Sequence, residues 1–340
     1  MNMNNTAMEN VEIFLATLSL VGNVIAVIGN ILVCLTIYKS SRLRTHTNVF
    51  IAAMAIIGLL FAVFVGPAIT VTLFAGRKWV FGQYFCSFHG FMSLFIEFAT
   101  LHTIALTAFN RHCRMLKIQL YRKIFQSRRR SCAILILVWS AQIAFILVFS
   151  LPWLAKFKFS HKRAGCVLEF RGKRGELTYS VIKTIFYFCA TNIIVVYCYT
   201  KVFLNIRNHS RKISCALRTS DRVNIEEVKI TRTVLAVVLF FLVCWIPEYI
   251  ISIIIRVNPE HLHRFAHRAV VFFLFLSCSL NPWVYAATNR EFRTEFKRRL
   301  MCKERSHRLE DTEPPQRTSN IELRLVNQNR VHALYSNESS

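Results

Sequence analysis

The sequence predicts an all-α membrane protein, a seven-transmembrane helix bundle followed by a short amphipathic eighth helix. Three observations predict it. The 340-residue chain is 54% hydrophobic with a mean hydropathy of +0.38, whereas soluble domains run nearer to about 45–50% apolar. It contains seven runs of the length, about 20 residues, that crosses a hydrocarbon core as a helix. Its basic residues also gather in alternate connecting loops, as they do on the cytoplasmic side of a membrane.

The runs lie near 13–38, 49–73, 86–109, 132–155, 178–204, 230–255 and 268–288. They leave only a head over 1–12, short loops and a tail, with no room for a soluble catalytic domain. The first run is too long for a cleaved signal peptide and no basic segment precedes it, so it is expected to stay as a helix. The head carries Glu9 and Glu12 but no Lys or Arg. The opposite set of loops carries Lys39, Arg42 and Arg44, then Arg111 through the run at 127–130, then Lys201 to Lys229. Lys and Arg favour that side by roughly two to one, which places the N-terminus outside and the tail in the cytoplasm. Residues 13–288 are thus the membrane domain. Residues 289–302 place Phe292, Phe296 and Leu300 on one face among basic residues, the pattern of a helix lying on a membrane surface. The polar tail over 303–340 is expected to be disordered and cytoplasmic.

The formal net charge of +25 does not imply a nucleic-acid partner, because basic loops beside membrane spans face anionic lipid. Cys34, Cys132, Cys189, Cys198, Cys244 and Cys278 fall within spans and act as small hydrophobes. Cys86 and Cys166 alone fall on the outer, oxidising side, where they can form a disulfide tying span three to the second outer loop. Asn4 opens an Asn-Asn-Thr glycosylation acceptor on that same side.

Short motifs recur at fixed places on this map: Gly29 to Val33 (GNILV) in span one, Asn110-Arg111-His112 closing span three, Trp139 in span four, Cys244 to Pro247 (CWIP) in span six, and Asn281 to Tyr285 (NPWVY) ending span seven. Together they resemble the rhodopsin-like, class A family of G-protein-coupled receptors over roughly residues 13–302. The resemblance implies a heterotrimeric G protein and an arrestin-type regulator as partners, and no resident cofactor or metal. It also implies roles. Arg111 pairs with Glu227 at the inner end of span six when the receptor is off, and receives the G protein when it is on. Pro247 kinks span six, and Trp245, with Phe241 below it, couples ligand to the swing of that helix. Pro282 loosens span seven, Asn281 offers it hydrogen-bonding atoms, and Tyr285 with Tyr199 turns inward on activation. Cys302 is a palmitoylation candidate, and serines and threonines of the tail are phosphorylation candidates.

Departures from the family pattern are as informative. Asn110 replaces the acid that usually precedes the arginine, which weakens the local clamp. Gly58 stands where the family has the aspartate of its sodium site, and Thr191 where span five usually has proline, so a weaker bulge is expected there.

In the family, small ligands sit between spans three, five, six and seven. The corresponding positions are Ser93, Glu97, Lys183, Tyr187, Trp245, Glu248, Tyr249 and Phe275. Amine receptors carry an aspartate at Ser93 and opsins a retinal-binding lysine at Phe275, so neither ligand class is expected. Span five resembles melatonin receptors in part, yet Tyr187 replaces their histidine. Glu97 and Glu248 need a cation between them, either Lys183 or a ligand. His102 is expected to be a hydrogen-bonded packing residue. Basic outer loops, Lys156 to Arg174 and His261 to Arg268, either steer an anionic ligand inward or are simply solvated. The leading reading is therefore a receptor for an unidentified extracellular small ligand. A ligand-independent, constitutively active receptor is the alternative. A seven-span transporter is the weaker one, since no internal repeat is visible. No His/Asp or Ser/His set suggests an enzyme.

Overall fold

In lipid each backbone N–H and C=O must be satisfied within its own segment, so the apolar runs fold as helices. In this computed structural model the described residues are 2–213, 235–236, 239–240, 243–247, 249–251 and 264–300. The chain divides into two units, Met1–Phe296 and Lys297–Ser340; of the second, residues 297–300 end a helix. Among the described residues five helical segments are long and apolar enough to cross a membrane: Asn10–Lys39, Asn48–Phe74, Gly82–Leu116, Arg128–Phe149 and Lys173–Asn205. Span six is described at fewer positions, which are helical, and span seven is Arg264–Thr288 with Pro282 inside it. The last helix, Arg290–Leu300, matches the expected eighth one.

Span one is helical from Asn2 to Lys39, so the head continues the helix instead of preceding it. Span two bends within its own length: Asn48–Leu60 is α-helical, Phe61–Val65 widens to a π turn, and Gly66–Phe74 resumes the α form. Pro67 accounts for the widening, because it has no N–H to donate and its ring crowds the carbonyl four residues back. Span five does the same over Lys183–Cys189. The expectation of a weaker bulge, drawn from Thr191 in place of proline, is thereby corrected. Asn192 donates its side-chain amide to the Phe188 carbonyl at 2.7 Å and so supports the wide turn without a proline.

Close approach between spans depends on small residues. A Cβ on Gly29 would lie 2.9 Å from Pro282 Cβ, and one on Gly58 would lie 2.5 Å from Asn30 Nδ2. The space of the family's aspartate is therefore taken by Asn30, 1% exposed, which donates to the carbonyls of Ala26 (2.8 Å) and Cys278 (3.3 Å).

Two elements fall outside the expected spans. A short amphipathic helix, Ile118–Phe125, follows span three and buries Tyr121 and Phe125. Beyond span four, β1 (Ala155–Ser160) and β2 (Gly165–Phe170) pair as an antiparallel hairpin with Phe157 opposite Leu168 and Phe159 opposite Cys166. Strand alternation buries Ala155 and Phe157 while Lys156 and Lys158 face solvent.

Candidate functional site

A cavity of about 250 Å³ lies beneath the β1–β2 hairpin, among spans two, three, five, six and seven. Its roof is Arg163 and Gly165 to Leu168, held against span three by the Cys86–Cys166 disulfide. Gln83 adds a bond from its amide to the Phe157 carbonyl at 2.7 Å, and Gly90 lets Phe157 seat directly on span three. Trp79 stacks on Phe159 at 5.7 Å. A latch closes the far end of the hairpin. Arg77 Nε donates to Glu12 at 3.0 Å, its Nη1 donates to the carbonyls of His161 (2.9 Å) and Lys162 (3.2 Å), and its own carbonyl meets the His161 ring at 3.1 Å. Arg77 adopts φ +61 to do so, a left-handed conformation that side chains disfavour by about 1–2 kcal/mol. The contacts hold it there.

Among the described residues the walls are mostly apolar and carry one charged pair. Lys183 Nζ lies 2.8 Å from Glu97 Oε1, the two side chains being 17% and 14% exposed. Tyr249 donates its hydroxyl to the same carboxylate at 3.2 Å and stacks on Phe188 at 3.9 Å. Ser93 donates to the His89 carbonyl at 2.8 Å, and His89 Nδ1 accepts the Cys166 backbone N–H at 3.4 Å. Wall and roof are thus joined through one histidine.

Of the eight residues expected at the ligand site, Ser93, Glu97, Lys183 and Trp245 line this cavity. Tyr249 reaches it through Glu97. Tyr187 sits behind the wall, packed on Phe98 (4.1 Å), Phe145 (4.8 Å) and His102 (5.0 Å). Phe275 packs on Phe61 at 5.2 Å and lines a separate, smaller groove between spans one and seven. Glu248 lies outside the described residues. His102 bonds the Phe98 carbonyl at 3.1 Å, as a packing histidine does.

At the other end of the bundle Arg111 is 1% exposed and Asn110 fully buried. Neither amide atom of Asn110 meets a hydrogen-bond partner among the described residues. Arg114, three residues on, donates to the Tyr121 hydroxyl at 3.2 Å and so ties span three to the short helix. Tyr199, Asn281 and Tyr285 are buried, and Pro247 lies in a helical stretch. Glu227, Phe241, Cys302 and the tail lie outside the described residues, and Asn4 lies in the first turns of the span-one helix. Sequence reading missed His89, Arg163 and the span-two wall of Phe61, Val65 and Ile69. The first two were within reach, since a bond from Cys86 to Cys166 necessarily carries residues 163–168 over span three.

Residues 29–285 match the family described as 7 transmembrane receptor (rhodopsin family). Among relatives, the melatonin receptor type 1A-A of Danio rerio is 23% identical over 81% of this chain and 77% of its own length. The histamine H2 receptor of Canis lupus familiaris is 26% identical over 85% and 79%. The substance-P receptor of the same species is 24% identical over 82% and 69%. Squid rhodopsin, a solved crystal structure, superposes with a TM-score of 0.74 at 21% identity, covering 91% of this chain and 93% of that one.

Proposed function

This chain belongs to the rhodopsin family of seven-transmembrane receptors, and on that premise we propose that it binds a small extracellular ligand in the cavity beneath the hairpin and relays that binding to a heterotrimeric G protein at the Arg111 end. A G-protein-coupled receptor of the plasma membrane is the coarse function. The finer reading rests on one observation: the roofed cavity has the part-buried Lys183–Glu97 pair in its wall and Trp245 among its lining residues. A ligand that moves Trp245 bears on Pro247 two residues on, where the missing backbone donor lets span six bend. In this reading the disulfide end and the N-terminus are outside. The basic loops, the amphipathic helix with its lipid contact, and the arrestin-binding tail are then in the cytoplasm.

Second-messenger responses to a panel of anions, indoles and amines, repeated with Glu97→Gln and Glu248→Gln, test the assignment. A change in at least one response is expected. Identical responses in all three receptors would remove the cavity from the mechanism.

Signalling without ligand is a second reading, favoured by Asn110, whose amide meets no partner among the described residues. If Arg111 relies on Glu227 alone, Glu227→Ala raises the basal second-messenger level. A silent basal signal in both receptors would count against this reading.

A further inference from the structure

Lys183 begins the π turn of span five. Its Nζ reaches both oxygens of Glu97, at 2.8 Å and 3.1 Å, and stands 5.7 Å from the ring centroid of Phe98 and 5.9 Å from that of Tyr249. Tyr249 is fixed by its bond to Glu97 and by its stacking on Phe188. Among the described residues a carboxylate and two ring faces thus stand around this nitrogen, components with which proteins bind free ammonium ions, the rings supplying quadrupole attraction and the carboxylate a charge-assisted hydrogen bond. We infer that Glu97, Phe98 and Tyr249 form an ammonium site whose occupant is the chain's own Lys183, a tethered amine.

Tethering decides what the receptor answers to. A covalently attached ammonium is present at an effective concentration in the millimolar range or above, so a free amine at micromolar levels does not displace it. In the wild-type receptor the tethered amine therefore competes with any free amine for Glu97. Removing the tether should expose the site. Lys183→Ala deletes three carbons and the ammonium, which is the propylammonium ion.

The test uses the purified full-length receptor and propylammonium chloride, against equal concentrations of sodium chloride. In Lys183→Ala the melting midpoint should rise by about 2 °C at ten times the dissociation constant. It should not rise in the wild type, nor in Lys183→Ala combined with Glu97→Gln. No rise in Lys183→Ala, or an equal rise in all three, overturns the inference. If Lys183→Ala yields no folded protein alone, recovery of folded receptor only when cells are grown with propylammonium supports it, and failure of that recovery refutes it. The signalling consequence rests on the proposed ligand cavity, and a second readout separates the two. A midpoint rise without any change in second messenger keeps the ammonium site and discards the cavity as the signalling site. A midpoint that does not move, beside a wild-type ligand response altered by Ser93→Ala, does the reverse.

Discussion

Alanine for glycine inside a helix ordinarily stabilises by about 1 kcal/mol, because it lowers the entropy lost on folding. At Gly58 the opposite sign is expected. The new Cβ would fall 2.5 Å from Nδ2, 2.7 Å from Cγ and 2.8 Å from Oδ1 of Asn30, so the whole amide head has to move. That head is buried and joins span one to span seven through the Cys278 carbonyl. Overpacking costs about 1–3 kcal/mol, and a polar group left unsatisfied in the interior costs about 1–3 kcal/mol more. Set against the helical gain, Gly58→Ala should lose about 1–5 kcal/mol, read as a melting midpoint lower by several degrees in the purified receptor. Asn30→Ala alone should also destabilise, but Gly58→Ala/Asn30→Ala should be less destabilised than the sum of the two, since the collision then has one participant missing. A midpoint for Gly58→Ala at or above wild type would refute the reasoning. So would strict additivity in the double variant.

Glu97→Gln takes the carboxylate out of the part-buried Lys183–Glu97 pair and should lower the melting midpoint. Glu97→Gln with Lys183→Met should recover part of that loss, as replacing both members of an ion pair does, and melting of the wild type and the two variants decides it. Arg77→Ala removes the guanidinium that bonds the His161 and Lys162 carbonyls, so hydrogen exchange of the amides at 160–165 should speed up by about tenfold or more while spans two and three keep their protection. Gly90→Val places a branched side chain where Phe157 now lies. It should lift the roof and lower ligand affinity more than it lowers the yield of folded receptor, measured by ligand binding against surface expression.

The spans were legible because hydropathy over about 20 residues reports a solvent, and the solvent dictates a helix. What the side chains do inside that solvent was less so. Lys183 was one of the two cations expected for Glu97, and it does pair with it, but the π turn at Lys183–Cys189 was not legible, since a widened turn leaves no mark in hydropathy. That same turn defeated the inference from Thr191. The hairpin did leave a mark, since Ala155 to Ser160 alternates apolar and polar residues. Its lysines drew the reading toward loop charge, and the strand went unrecognised. Phe275 was assigned by its place along span seven, whereas its contact with Phe61 depends on helical phase around the axis, which registers poorly across a Pro282-bearing helix.

Among the fastenings of the hairpin over the cavity, two differ in kind: a covalent one at Cys86–Cys166 and an electrostatic one through Arg77, which bonds the turn and is held in place by Glu12. Ionic strength acts on the second and leaves the first untouched. In brine the turn end of the roof loosens while the disulfide end stays fixed, so salt should change how fast a molecule enters and leaves before it changes how tightly it is held.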